Sequence, residues 1–246
     1  MMPFFFDPTI IILIPALLFA GWAQMKVKST YNKYSQIASR SGMTGADVAR
    51  AILRDAGVEF ARDAATAVRG AVGVEAVQGN LTDHYDPRSK TLRLSEGVYN
   101  GRSVAALGIA AHEVGHAIQD ARGYAPLVLR STMYPLANIG TNLAWPLFFG
   151  GLILTFLGVA GMVWLLYVGV ILFTLAVAFT VVTLPVEFNA SKRAVAALAH
   201  GGYLQEDELQ GTKKVLNAAA LTYVAAALMA VLQLVRMLVI LGAVRR

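Results

Sequence analysis

Apolar and polar positions alternate in long blocks along this chain. A first apolar run, Thr9 to Trp22, carries no charged side chain and precedes Lys26, Lys28 and Lys33. Its length and its lack of a polar face predict a helix that enters a membrane. A cleaved secretory leader would place positive residues before the apolar core, whereas here they follow it. A retained anchor over residues 1–25 with the N-terminus outside is therefore expected. Asp7 is the only charge ahead of the run. The longest block, residues 131–186, contains no charged residue at all. A crossing needs about 20 residues, so this block suits two crossings joined by a tight turn near Gly158 to Gly161, a hairpin assigned to residues 143–184. A last apolar stretch, from about Ala218 to Val244, is interrupted by Gln233 and Arg236 and is followed by Arg245-Arg246. It can span, lie in the interface or pack inward, and Arg236 must snorkel, pair with an acid or mark a polar interior.

The intervening segments are patterned as a folded polar part. Thr44 as N-cap, Asp47 three residues on, apolar Val48, Ile52 and Leu53, and a stopping Gly57 predict a capped amphipathic helix. Val74 to Val77, Leu81 to Tyr85 and Thr91 to Ser95 read as short strands, the last two joined by an Asp86-Pro87-Arg88-Ser89 turn. They predict a small antiparallel sheet. From Ser103, a predicted N-cap, an alanine-rich segment runs from Val104 to about Ala121 with no proline. Gly108 and Gly115 within it predict close helix packing.

Composition agrees with the block pattern. The chain is 57% hydrophobic and only 15% charged, with a mean hydropathy of +0.57, too apolar for one water-soluble domain. It has no cysteine, which excludes disulfides, thiolate-bound zinc, iron–sulfur ligation and cysteine nucleophiles. The net charge of +6 reports topology rather than nucleic-acid binding. Residues 26–130 carry 14 of the 21 Lys and Arg, and Lys192, Arg193, Lys213 and Lys214 add four more. The positive-inside rule makes the side they share cytoplasmic.

Two of the four histidines stand in His112-Glu113-Val114-Gly115-His116. On a helix, positions i and i+4 lie one above the other, so both imidazoles can bind one zinc ion while Glu113 handles the proton of the attacking water. The pattern suits peptide-bond hydrolysis without a covalent acyl-enzyme. The third ligand defines the class. A metzincin would have Gly and His where this chain has Gln119 and Arg122, so that class is excluded. Glu187, the first charged residue after the uncharged block, opens an amphipathic run from Pro185 to Ala194 and is the expected third ligand. Two crossings between His116 and Glu187 would return the chain to its starting face. Glu206, Asp207 and Glu208 are weaker candidates because they read as a solvated helix start. His84 reads as a partly exposed strand histidine.

At this point the sequence resembles the YugP-like neutral zinc metallopeptidases, a bacterial membrane family. The resemblance rests on Leu81-Thr-Asp-His-Tyr-Asp-Pro, Leu92-Arg-Leu-Ser, Ala111-His-Glu-Val-Gly-His-Ala-Ile-Gln, Val186-Glu-Phe-Asn-Ala-Ser-Lys-Arg-Ala and Ala218-Ala-Ala-Leu-Thr-Tyr-Val-Ala-Ala-Ala. More distantly the chain is similar to HtpX-type and CAAX-processing membrane gluzincins, in which the metal-binding Glu begins a Glu-x-x-Ala-Asp run. Here Ser191 stands in place of that Asp, so Ser191, Asn189 or a backbone carbonyl is left to support a ligand histidine. Gluzincins often draw an oxyanion donor from beyond this helix, which nominates His200 and Tyr203, with Arg193 as a further candidate. The resemblance implies an extended peptide laid along an edge strand, with Asn80 to Tyr85 or Thr91 to Ser95 as the candidate edges.

The expected architecture is an α-helical membrane protein with an α+β zincin-like cytoplasmic catalytic part, built on the His-Glu-x-x-His helix and a small antiparallel sheet. Residues 26–142 form the catalytic part, 185–216 the helix with the third ligand and 217–246 a C-terminal hydrophobic helix. The expected function is a multi-pass zinc metalloprotease of the bacterial plasma membrane, with one Zn2+, a protein or peptide substrate associated with the membrane, and no nucleic-acid partner. Two rivals stand beside it. A non-catalytic adaptor with a structural metal site would not need Glu113, and a transporter would place its motif in the middle of a crossing.

Overall fold

The computed structural model describes residues 8–61 and 71–244; Asp7 and the terminal Arg245-Arg246 pair lie outside them. A short 3-10 turn, Pro8–Leu13, leads into α1, Ile14–Ser35. The order that follows is α2 (Gly45–Asp55), β1 (Phe60–Ala61), β2 (Val72–Val77), β3 (His84–Asp86), β4 (Thr91–Ser95), α3 (Glu96–Tyr99), α4 (Val104–Ala121), α5 (Ala125–Phe156), α6 (Val163–His200) and α7 (Glu206–Val244). The chain divides into two compact units. One gathers residues 1–23, 129–184 and 222–246, and the other residues 24–128 and 185–221.

The first unit is built from apolar helix. Four helices of the chain, Pro8–Ser35, Ala125–Phe156, Val163–His200 and Glu206–Val244, are long and apolar enough to cross a membrane. Only 11% to 33% of their most apolar stretches is buried within the protein, so most of that surface faces outward and is suited to lipid. The turn between α5 and α6 uses Gly158 and Gly161 at φ +78° and +80°, left-handed positions that favour glycine. Ala144, Phe148 and Leu152 of α5 pack with Leu166, Val170, Phe173 and Val177 of α6 and with Met237 and Leu241 of α7. Close approach inside this hairpin depends on Gly140, where an added Cβ would lie 2.6 Å from the Leu172 carbonyl. Arg236 is half-buried in α7, and its Nε donates to Thr9 Oγ1 at 3.1 Å.

The second unit is layered around α4. The capping box that begins α2 is present: Thr44 accepts from Asp47 N at 3.1 Å and Asp47 accepts from Thr44 N at 3.1 Å. The buried face of α2, with Val48, Ile52 and Leu53, joins Leu107, Ala110, Val114 and Ala117 of α4 and Leu92 and Leu94 of β4 in one core. Each fully buried leucine contributes about 1.5–3 kcal/mol relative to exposure. Gly108 of α4 lets α7 approach closely, because a Cβ there would meet Thr212 Cγ2 at 2.8 Å.

The sheet departs from the all-antiparallel arrangement that the sequence suggests. Its order is β1-β2-β4-β3. β2 runs parallel to both β1 and β4, and only β3 and β4 are antiparallel. Alternating hydrophobicity reports which face of a strand is buried but not the direction of its neighbour. Gly79 at φ +107° and Leu81 at φ +55° turn the chain after β2, so the strand expected from Leu81 begins only at His84. The chain then passes along the outer side of β4, leaving β4 beside β2 in the same direction.

Candidate metal centre

Ser103 Oγ accepts from Ala106 N at 3.1 Å and starts α4 at the expected residue. One turn apart on this helix, His112 and His116 place their rings nearly perpendicular, with centroids 4.8 Å apart. Between them, Gly115 faces the backbone of α6. A Cβ added there would lie 2.6 Å from the Ala190 carbonyl oxygen, so only glycine allows this approach. Three residues before Ala190, Glu187 is buried at 3% exposure. Its Oε2 lies 3.3 Å from His112 Nε2 and 3.5 Å from His116 Nε2.

The three side chains each offer one donor atom within 4.8 Å of the others. The far ring nitrogens are engaged elsewhere. His112 Nδ1 lies 3.1 Å from Ser191 Oγ, and His116 Nδ1 lies 3.0 Å from Gln119 Oε1. Both Nε2 atoms therefore turn toward the common point. Two imidazoles and a carboxylate, with no thiolate in the chain, fit a zinc ion with one position left for water or substrate. The local field is also suited to a cation. Burial opposes charging His116, yet the hydrogen bond that its ring donates to Glu187 and the charges of Glu113 and Glu187 outweigh it and hold the imidazole above its ordinary pKa. Glu113 is buried at the position following His112.

Ser191 thus touches His112 at the position where the gluzincin pattern carries Asp. Asn189 reaches His116 through Gln119: Gln119 Nε2 donates to Asn189 Oδ1 at 2.9 Å and to the Val186 carbonyl at 2.9 Å. Arg193 Nε donates to Asn189 Oδ1 at 2.7 Å, and its guanidinium lies over the Tyr124 ring. Other candidates are placed differently. His200 is exposed at the end of α6. The Tyr203 hydroxyl donates to Asp55, and burial together with that carboxylate pushes the phenol up to about 12. His84 is exposed on β3 with Nδ1 2.8 Å from the Thr82 carbonyl. Glu206 and Asp207 are exposed, whereas Glu208 is buried and accepts from the backbone N–H groups of Arg40 and Gln205, each at 2.8 Å.

Two residues near the centre are not nominated by sequence reasoning. Gln119 enters that reasoning as a departure from the metzincin pattern and as the end of a family-like segment but is given no role, although its i+3 spacing from His116 puts the two on one helix face. Asp83 falls within the segment read as a strand and is given no role there, yet its carboxylate accepts from Ser95 N and Oγ at 2.8 and 3.0 Å. Burial raises its pKa against those hydrogen bonds, and the charge of Glu113 adds to the rise.

The described residues thus place a helix-borne His-His-Glu cluster able to hold a metal ion in a chain with four helices long and apolar enough to cross a membrane. Over residues 9–242 the chain matches the family described as "Putative neutral zinc metallopeptidase", and it belongs to that family. It is similar to "Putative membrane protease YugP" of Bacillus subtilis (strain 168), with 46% identity over 231 residues, covering 94% of this chain and 95% of that protein. No solved structure matches it.

Proposed function

We propose that this protein is a membrane-embedded zinc endopeptidase of gluzincin type, in which His112, His116 and Glu187 hold one zinc ion and Glu113 is the general base. The observation that carries this reading is the convergence of both histidine Nε2 atoms on Glu187 Oε2, at 3.3 and 3.5 Å. Zinc bound there supplies Lewis acidity to a scissile carbonyl and makes water nucleophilic near neutral pH. The carboxylate of Glu113 takes the proton of the attacking water and delivers it to the departing amide nitrogen. Water adds across the C–N bond, giving a carboxylate and an amine without an acyl-enzyme.

The crossing count agrees with this assignment. His116 and Glu187 belong to one unit, which supports a reading with an even number of crossings between them. The positive residues flanking the crossings favour the cytoplasmic side for that unit. The extended substrate would add to β3, because β4 is paired with both β2 and β3 while the outer edge of β3 has no strand partner among the described residues.

The test compares zinc content and casein or peptide cleavage of the detergent-purified protein with those of Glu113→Gln and Glu187→Ala. Glu113→Gln is expected to keep about one zinc and to lose activity by roughly 10²–10⁴-fold, and Glu187→Ala to lose zinc. Parental activity in Glu113→Gln would sink the protease mechanism. Full zinc occupancy in Glu187→Ala would assign the third ligand to another residue.

A further inference from the structure

We infer that Gln119, Asn189 and Arg193 form a relay of fixed hydrogen-bond polarity that holds His116 with its proton on Nδ1 and its Nε2 lone pair on the metal. This inference rests on the zinc reading above and deepens it, since it concerns how a ligand is oriented. Gln119, Asn189 and Arg193 are positioning residues here, because they act through His116.

The argument begins at the group whose role is not adjustable. An arginine guanidinium only donates hydrogen bonds, so the Asn189 atom 2.7 Å from Arg193 Nε is the amide oxygen. That same oxygen lies 2.9 Å from the Gln119 side chain, so Gln119 must present its NH2 to it. A second constraint gives the same answer. The Val186 carbonyl can only accept, and it lies 2.9 Å from the same Gln119 nitrogen. With both N–H bonds of its amide committed, Gln119 has only its oxygen left to face His116 Nδ1 at 3.0 Å. The oxygen accepts, so a proton resides on His116 Nδ1, which leaves Nε2, 3.5 Å from Glu187 Oε2, as the ring nitrogen free to give its lone pair to a bound metal. Gln119 is 0% exposed, which leaves no solvent route by which its amide could be satisfied after a flip, and a flip would set donor against donor and acceptor against acceptor.

His112 is held differently. Its Nδ1 meets the Ser191 hydroxyl, which can donate or accept and therefore does not dictate a tautomer by itself. Of the two ligand histidines, His116 is the one whose metal-binding form is fixed in advance by the protein. Arg193 is anchored over the Tyr124 ring, with its guanidinium carbon 5.8 Å from the ring centroid, so the donor that sets the polarity is itself held in place.

Zinc affinity of the full-length detergent-purified protein, measured by competition with a chromophoric chelator, tests this relay, with the cobalt-substituted visible spectrum as a second readout. Gln119→Met keeps a side chain of similar length but removes the acceptor and both donors. It is expected to weaken zinc binding by about 10–100-fold and to change the cobalt spectrum. Asn189→Asp still offers an oxygen to both Arg193 and Gln119 and is expected to bind zinc within about twofold of the parent, whereas Asn189→Leu is expected to weaken it several-fold. Because Asn189 is only half-buried, this pair reports on the relay even if Gln119→Met fails to fold. Equal zinc affinity and cobalt spectra in Asn189→Asp and Asn189→Leu would overturn the relay, as would parental affinity in Gln119→Met. A parent that binds zinc while these variants behave alike refutes the relay only; a parent that binds no zinc refutes the metal centre, and the relay with it.

Discussion

Hydroxyl groups behave differently in the two units of this molecule. In α5 and α6, Thr141, Thr155, Thr174 and Thr183 each donate to the carbonyl four residues earlier in the same helix, and Thr180 to that three residues earlier. In the polar unit, some hydroxyls bond locally, as Ser29 and Ser35 do within α1, but others reach across elements: Ser191 to His112, Ser95 to Asp83, Tyr85 to Asp120 and Tyr203 to Asp55. Where the surroundings are apolar, a hydroxyl is satisfied most cheaply by its own backbone. Where polar partners are dense, the same group fixes the orientation of another side chain, which is what a metal centre requires. Glycine permits close packing in both units, at Gly115 between two helix backbones at the site and at Gly140 within the hairpin, whereas Gly150 in α5 has nothing within 4 Å of where a Cβ would stand.

The largest expected effect breaks this comparison at glycine. Gly115→Ala must push α6 away from α4, costing about 1–3 kcal/mol of stability and separating Glu187 from the histidines. Loss of bound zinc together with a lowered Tm is the expected result. Gly150→Ala should leave both unchanged or raise Tm slightly, since alanine is the better helix former. Equal effects of the two would remove the distinction.

Ser191→Ala comes next, because it takes from His112 the partner of its Nδ1. Zinc affinity should fall about 10-fold, with the fold retained by circular dichroism; unchanged affinity would assign the support of His112 to another group.

A smaller effect should appear with acid. Asp86 has its carboxyl pKa lowered to about 2, first by the Arg88 backbone N–H, then by Ser89 and, more weakly, by Arg93. A lowered folded-state value means that its contribution is full above about pH 4 and is lost as pH falls toward about 2. Asp86→Asn should therefore be less stable than the parent at pH 6, and the difference should shrink through that window. A gap in Tm that stays constant from pH 6 to pH 2 would contradict the assignment.

The smallest effect belongs to the apolar unit. Thr174→Val removes only a bond to its own helix at Val170 and should change stability by less than about 0.5 kcal/mol. A larger loss in thermal unfolding would mean that this threonine reaches beyond its helix.

What could be read from sequence was whatever depends on neighbours along the chain. The capping pair Thr44 and Asp47, the N-cap Ser103, the extent of α4, the glycine turn between α5 and α6 and the i, i+4 placement of His112 and His116 all follow from local periodicity and backbone preference. The return of Glu187 to the neighbourhood of His112 and His116 was legible because an uncharged block of known length restricted where the next carboxylate could stand. Strand direction was not, since β2 and β4 would show the same alternation in either orientation. Nor was the role of Gln119, because its chemistry depends on the Val186 carbonyl and Asn189, which are distant in sequence and meet it only where Gly115 admits the backbone of α6. Sequence determined the long apolar helices, the capped polar helices and the spacing of His112 and His116, for these are properties of short segments and their solvent. Tertiary structure alone decided the order of the sheet, the partners of each histidine and the separation of His200 and Tyr203 into other surroundings, because hydrogen-bond polarity is settled only when both partners are in place.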